Sequence, residues 1–289
     1  MTSLREWVVG ARPPTLPAAV APVLVGTGAA AGVDALEVGR ALLALLVSLA
    51  LQIGVNYAND YSDGVRGTDS NRVGPTRLVA SRLATATSVR IAASICFGIA
   101  AVAGLALAAM TSWWLLAVGA VAIAAAWFYT GGAKPYGYRA LGEVSVFVFF
   151  GIVAVIGTTY VQAEQILPQS VVASVSVGLL ACALLVVNNL RDIDSDAVSG
   201  KRTLAVVLGE RRTRWLFAGI VVLSFVIVGA LALLSRPFAA LGLAAAILAL
   251  PPVGAVLSGA RGVALLPALR ATGLTQLLLG LLLAVGLAI

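Results

Sequence analysis

Histidine is absent from the 289 residues. That excludes His-ligated haem, His-containing zinc sites and a histidine general base in one step. Cysteine is scarce: Cys96 and Cys182 both lie inside apolar runs with no CxxC spacing, which argues against a disulfide or a thiolate metal centre. They read as small core residues. Charge is scarce too. Charged residues make up 11% and apolar residues 61% of the chain, whereas a soluble domain is roughly a quarter charged. Mean hydropathy is +1.03.

What is there is a series of long uncharged runs, from one end of the chain to the other, so the chain reads as an integral membrane protein. Runs long enough for helices of about 20 residues fall near 15–33, 40–59, 88–110, 113–130, 142–162, 170–190, 214–234, 238–257 and 267–288. The expected fold is all-α, a bundle of nine transmembrane helices. Arg5 and Arg12 before the first run superficially resemble the start of a signal peptide. Pro13, Pro14, Pro17 and Pro22 spoil a regular apolar core there, so the first run is expected to be a retained span.

The formal charge of +7 is not a nucleic-acid footprint, because the basic residues are spread over short loops. Their placement reads as topology. With the N-terminus cytoplasmic, one side carries every Lys and Arg except Arg40 and Arg236, which is 17 of 19. The positive-inside rule therefore puts the two long links, 60–87 and 191–213, in the cytoplasm. A weak parallel repeat joins them: NYANDYSD begins at Asn56 and NNLRDIDSD at Asn188, each ending an even-numbered span. The chain is expected to be one domain, 1–289, of two four-helix halves, about 1–135 and 136–257, plus a ninth helix.

The 12 acidic residues include Asp60, Asp63 and Asp69 within ten positions of one another, directly after an apolar run. A carboxylate at a helix centre costs roughly 2.5–3.5 kcal/mol on insertion scales. On a continuing helix, Asn56, Asp60 and Asp63 stand at i, i+4 and i+7, and Asn188, Asp192 and Asp196 at i, i+4 and i+8. Asp194 points off the second stripe, and Asp69 follows Gly64 and Gly67 on a loop. Two facing stripes of oxygen ligands suit a hard cation such as Mg2+, which is completed by water and phosphate oxygens. The links add Arg66, Arg72 and Arg77 after the first motif, and Lys201 and Arg202 after the second. Acids that cap helix ends or pair with loop arginines would account for one such motif. Two equivalent motifs on one side, both beside cations, describe a diphosphate site.

NDYSD with Asn56, and DIDSD with Asn188, resemble the paired aspartate motifs of the UbiA-type intramembrane prenyltransferases. ARPPTLPAAVAPVLVGT at 11–27, GPTRLVAS at 74–81, YTGGAKPYGYRALGEVSVFVFFG at 129–151 and GKRTLAVVLG at 200–209 are similar to the branch that prenylates 1,4-dihydroxy-2-naphthoate in menaquinone biosynthesis. Asp69 departs from the superfamily pattern, standing six residues after Asp63 instead of four, and Arg82 stands where the branch often has Gly. The resemblance implies a nine-helix bundle around a central cavity with cytoplasmic cap segments, in a bacterial inner membrane. It implies two Mg2+ ions, replaceable by Mn2+, held by Asn56, Asp60, Asp63, Asn188, Asp192 and Asp196. Arg77 and Lys201 would bind the diphosphate of a polyprenyl donor. The catalytic set expected is Asp60, Asp63, Asp192, Asp196 and Lys201, facing the cytoplasm, with membrane lipid around the bundle and demethylmenaquinone as product.

An allyl cation left by diphosphate needs a dry site with aromatic faces. Tyr61, Tyr129, Tyr136 and Tyr138 are candidates, although tyrosines also mark the membrane interface. Lys134 belongs to the same acceptor-side group, and Glu143 is expected to pair with Arg139. The spacing of Gly28 and Gly32 reads as helix packing, and Trp113 and Trp114 as an interfacial belt. Two other readings stay open. A superfamily member acting on another aromatic acceptor, such as 4-hydroxybenzoate, would look much the same. A cation-coupled transporter could also use intramembrane acids on repeats, with helix breaks such as Pro251–Pro252.

Overall fold

The computed structural model describes residues 2–68 and 76–289. Asp69 and Arg72 lie outside these residues. Among the described residues all regular structure is helical, and the one ladder contact is an isolated bridge between Arg139 and Arg202.

The chain opens with a short helix α1 (Leu4–Gly10), started by a capping box in which Ser3 and Glu6 satisfy each other's backbone N–H groups. Arg12 then takes a left-handed conformation and Pro13–Thr15 form a 3-10 turn before α2 (Pro17–Ala31). The prolines cannot extend a helix through this point, so α1 and α2 meet at a 54° bend. Next comes α3 (Val38–Arg66), 29 residues long. At 1.5 Å per residue that is about 43 Å, longer than the roughly 30 Å hydrocarbon core. Its last turns therefore carry NYANDYSD on unbroken helix until Gly67, in a left-handed conformation, ends it.

The remaining long helices are α4 (Ala86–Met110), α5 (Leu115–Phe128), α6 (Gly142–Ala163) and α7 (Pro168–Arg191). After them come the short α8 (Ile193–Val198) and α9 (Leu204–Leu208), then α10 (Glu210–Leu234), α11 (Pro237–Leu257) and α12 (Gly262–Ala288). Among the described residues seven segments are long and apolar enough to span a bilayer, and the bent α1–α2 pair would make an eighth. The expected span at 113–130 is only 14 residues of helix in α5, about 21 Å, because turns at Trp113–Trp114 and Tyr129–Thr130 cut it at both ends.

Packing sets where a site can form. Gly28 of α2 and its C-cap Gly32 lie against the Ala284 and Leu287 backbone of α12, and Gly151 of α6 lies against Gly178 of α7. The backbones approach there because no side chain intervenes. A π-helical stretch, Phe147–Val153, turns Phe149 and Phe150 of α6 toward the bundle interior. Helix α7 is the central element, and its residues Val177, Leu180, Ala183 and Val187 join α2, α10 and α12 in the largest core cluster. Helix α5 packs on α3 and α4, and faces α6 across a cavity.

This packing makes a stability prediction. A Cβ at Gly28 would stand 2.2 Å from the Ala284 carbonyl oxygen, whereas one at Gly98 meets nothing within 4 Å. Gly28→Val should lower the thermal midpoint in detergent by several degrees, in line with an overpacking cost of about 1–3 kcal/mol. Gly98→Ala should leave the midpoint unchanged or raise it. Equal midpoints for the two variants would refute the α2–α12 contact.

Candidate active site

The cavity has a volume of about 360 Å³ and runs down the bundle between α3, α4, α5, α6 and α7. Its mouth is polar and its shaft apolar. On the first motif, residues of α3 four apart share a face, and Asn59 and Asp63 are such a pair. Both line the mouth, as does Asn56 one turn below. Asp63 is 3% exposed. Its carboxylate accepts from the Tyr138 hydroxyl and pairs with Lys201 Nζ at 3.1 Å and Arg77 Nη2 at 3.4 Å. Asn59 Oδ1 accepts from the Thr130 hydroxyl at 2.8 Å. The Asn56 amide donates to the Ala11 carbonyl at 2.9 Å and to Thr15 Oγ1 at 3.1 Å, tying α3 to the α1–α2 elbow.

Asp60 has a different task from the expected one. Its two oxygens accept the backbone N–H groups of Leu78 and Val79, at 2.7 and 3.0 Å, and it does not line the cavity. Those N–H groups follow Arg77 directly, so Asp60 fixes the loop that delivers the Arg77 side chain to Asp63. Its carboxylate enters the site as an anchor for backbone.

The second motif breaks its helix. α7 ends at Asp192, and α8 starts there with Asp192 as its cap. The turn continues closely enough for the Asp196 N–H to donate to the Asp192 carbonyl at 2.8 Å, so both acids still face the cavity with Asn188. Asp194 is exposed, off that face. Asp192 holds the neighbouring Arg191 in a two-point pair, 2.7 Å from Nε and 2.6 Å from Nη2, with both side chains buried. Gly200, at φ 76°, then reverses the chain, and the Lys201 N–H donates to the Asp196 carbonyl at 2.9 Å. A left-handed residue is needed there, and glycine supplies it without strain. The reversal aims Lys201 back at Asp63.

The aromatic candidates divide. Tyr129, Tyr136 and Tyr138 line the cavity, Tyr129 and Tyr136 meeting edge to face at 5.5 Å. The Tyr136 hydroxyl donates to the Ala125 carbonyl at 2.8 Å and lies 2.9 Å from Ser145 Oγ, bridging α5 to α6. Lys201 Nζ stands 5.1 Å from the Tyr138 ring centre. Burial raises the pKa of all three phenols; the nearby Glu143 carboxylate adds to it at Tyr129, and Asp63 adds to it at Tyr138. They stay protonated at neutral pH and act as donors and ring faces, not as bases. Tyr61 instead stacks on Trp127 outside the cavity, and the Arg90 guanidinium lies over the Tyr61 ring.

Three expected cations also fall elsewhere. Arg66 donates to the Thr130 and Gly132 carbonyls and lies over the Tyr138 ring, bracing the 130–138 segment from outside. Arg202 is exposed; its N–H donates to the Tyr138 carbonyl at 3.1 Å, which holds the same segment against the second link. Lys134 is exposed and off the cavity. Glu143 does not pair with Arg139: it is buried at the start of α6 and accepts from Asn189 Nδ2 at 3.0 Å. The sequence pattern does not assign Arg12, Asn59, Thr130 or Asn189 to the site, yet all four line the cavity; Asn59 and Asn189 are the i−4 and i−3 neighbours of Asp63 and Asp192.

The donor set at the mouth is oxygen only: Asn56, Asn59, Asp63, Asn188, Asp192 and Asp196. Among the described residues no three acidic side chains close into one metal-sized cluster. Asp63 and Asp192 hold protein cations instead. Such a mouth fits a hard divalent cation with a phosphate anion, since the acids suit the first and Arg77 and Lys201 the second.

Comparison with known proteins agrees with this geometry. The UbiA prenyltransferase family model matches residues 19–258. The chain is 54% identical over 288 residues to the 1,4-dihydroxy-2-naphthoate octaprenyltransferase of Mycobacterium tuberculosis, covering 100% of this chain and 98% of the relative. It is 42% identical over 217 residues to the enzyme of that name from Escherichia coli, covering 73% and 70%. Among solved structures, a UbiA homolog from Archaeoglobus fulgidus bound to DMAPP and Mg2+ shares the fold, with a TM-score of 0.68 at 14% identity over 96% of this chain and 99% of that one. With the aspartate motifs at the mouth of one cavity and a family match over most of its length, the chain belongs to the UbiA prenyltransferase family.

Proposed function

We propose that the protein transfers a polyprenyl group from polyprenyl diphosphate to 1,4-dihydroxy-2-naphthoate, releasing diphosphate and carbon dioxide and giving demethylmenaquinol, the hydroquinone form of demethylmenaquinone. One observation carries this reading: a single cavity joins an acid-and-cation mouth, where Asp63 meets Lys201 and Arg77, to an apolar shaft. A diphosphate with a long hydrocarbon chain has that same polarity. The names of the relatives supply the acceptor.

Asn56, Asn59, Asp63, Asn188, Asp192 and Asp196 would hold Mg2+, two ions by family resemblance, with Mn2+ as a substitute. A metal ion held there would supply Lewis-acid neutralisation of the charge that builds on the departing diphosphate, with no proton transfer. Lys201 and Arg77 bind the diphosphate oxygens, and the protonated Tyr138 hydroxyl adds a donor beside them. The ring faces of Tyr129, Tyr136 and Tyr138 steady the allyl cation, worth about 2 kcal/mol where water is excluded. The apolar shaft keeps that water out. Attack by the electron-rich ring carbon that bears the carboxylate gives a saturated centre, and loss of carbon dioxide restores conjugation. No side chain has to take a ring proton, in keeping with a chain without histidine. The mouth is read as cytoplasmic, as is the N-terminus, in a bacterial inner membrane.

Two experiments follow from this assignment. Asp63→Asn should lower turnover at least about 100-fold, the loss typical of a removed transition-state stabiliser, and should raise the Mg2+ concentration for half activity. Asp60→Asn should lower turnover through the Arg77 loop but leave that Mg2+ requirement unchanged. An equal shift in both variants would contradict the separate tasks of the two acids. Acceptor labelled in its carboxyl carbon should release labelled carbon dioxide in step with prenylated product. Product that keeps the label would replace this acceptor with one prenylated beside its hydroxyl, as in 4-hydroxybenzoate chemistry.

A further inference from the structure

Three cations among the described residues line the cavity: Arg77, Lys201 and Arg12. Arg77 and Lys201 meet Asp63 and belong to the mouth. Arg12 comes from another wall, the elbow between α1 and α2. It stands just past the end of α1 in the left-handed conformation, at φ 55° and ψ 67°. Glycine or asparagine is the usual residue at such a position. Arginine gains no conformational ease there, so its role lies in the side chain. The Nη2 end of that side chain is buried.

The polar groups around the elbow fix one another's orientation. The Thr15 hydroxyl donates its one proton to the Arg12 carbonyl at 2.9 Å, so Thr15 Oγ1 can only accept from its other neighbours. It accepts from Gln52 Nε2 at 2.9 Å and from Asn56 Nδ2 at 3.1 Å. Both amides therefore turn their nitrogen toward Thr15. Asn56 directs its second N–H to the Ala11 carbonyl at 2.9 Å, which leaves its oxygen for a metal ion. Gln52 is 7% exposed and also lines the cavity. Thr15 takes one of its two N–H groups, and the second can serve a ligand. Gln52 lies one helical turn below Asn56, about 6 Å further from Asp63.

We propose that Arg12 and Gln52 form the subsite that holds the carboxylate of the aromatic acceptor. The inference rests on the transfer reaction proposed above and names residues that select its acceptor. Asp63, Asp192 and Asp196 line the same cavity, so an anionic acceptor enters against their charge and needs a cation of its own. Arg77 and Lys201 serve the diphosphate, and Arg12 is the third described cation on the wall. A planar guanidinium takes a carboxylate through two parallel hydrogen bonds, and the Gln52 N–H adds another. The ring carbon that attacks is the one bearing the carboxylate, so a grip on the carboxylate aims the nucleophile. The grip is in place before attack and persists through it. It therefore acts on KM for the acceptor and not on kcat.

The test measures binding to purified protein, with inorganic diphosphate and Mg2+ present to occupy the mouth. The probes are 1-hydroxy-2-naphthoate, which keeps the carboxylate of the acceptor, and 1-naphthol, which lacks it. Arg12→Gln should weaken the carboxylate probe at least about tenfold, the scale of a hydrogen bond to a charged group, and leave 1-naphthol within about twofold. Arg12→Lys should recover part of the loss, and Gln52→Leu should weaken the carboxylate probe alone, by about threefold. In turnover, Arg12→Gln should raise KM for the acceptor at least about tenfold, with kcat and the donor KM within about threefold. An unchanged preference for 1-hydroxy-2-naphthoate over 1-naphthol in Arg12→Gln overturns the subsite. A loss of both probes together in Arg12→Gln and Arg12→Lys also overturns it, and makes Arg12 a prop of the elbow. Wild-type protein that binds the carboxylate probe through Arg12 but transfers no prenyl group overturns the transfer reaction and leaves the subsite standing.

Discussion

Asp63 holds together parts of the chain that are far apart in sequence. Its carboxylate leaves the long helix α3 and meets the hydroxyl of Tyr138, the Arg77 guanidinium from the first link and the Lys201 ammonium from the second. A carboxylate at 3% exposure is tolerable only with such partners, because desolvation costs several kcal/mol per ion and removing one partner of a buried pair costs about 3–5 kcal/mol. The same set is suited to exchange. Cations that neutralise an aspartate are well placed to neutralise a phosphate, and an aspartate released from them can take a metal ion.

The surrounding structure serves to hold this junction in place. Asp60 pins the backbone after Arg77, Gly200 turns the chain so that Lys201 points inward, and Arg66 and Arg202 brace the segment that carries Tyr138. On the far wall Glu143 orients Asn189. Asp60, Arg66, Arg202 and Glu143 bond protein groups off the cavity surface, which carries Asn56, Asn59, Asp63, Asn188, Asn189, Asp192, Asp196, Arg77, Lys201 and the three tyrosines. Below them the wall is mostly hydrocarbon and glycine, with the hydroxyls of Ser48 and Thr158, so the polarity of the site falls away from the mouth.

Composition and periodicity carry the helical membrane architecture and the presence of two acidic motifs on one side of the chain. They do not carry the rotation of a helix about its axis. Asn56, Asp60 and Asp63 form a broad stripe, and which edge of it faces inward is decided by the Leu78 and Val79 N–H groups, which need an acceptor and take Asp60. The link cations posed a similar problem. Arg77 and Lys201 point into the cavity while Arg66 and Arg202 bond carbonyl and backbone outside it, a division set by the tertiary course of the links. Helical periodicity gives no sign of the Arg191–Asp192 pair, because adjacent residues do not face each other on a helix; the break at Asp192 brings them into two-point contact. The short α5 was likewise hidden, since a run of apolar residues does not reveal the turns that clip its ends.

The central claim is that the acids around Asp63 hold metal and the cations around it hold diphosphate, as one site. Calorimetric binding of a prenyl thiodiphosphate, which resembles the donor but resists cleavage, tests it on purified protein without depending on turnover. Binding should require Mg2+, should weaken at least about tenfold in Lys201→Gln, and should become insensitive to Mg2+ in Asp63→Asn. Binding of equal strength with and without Mg2+ in the wild type would contradict the account.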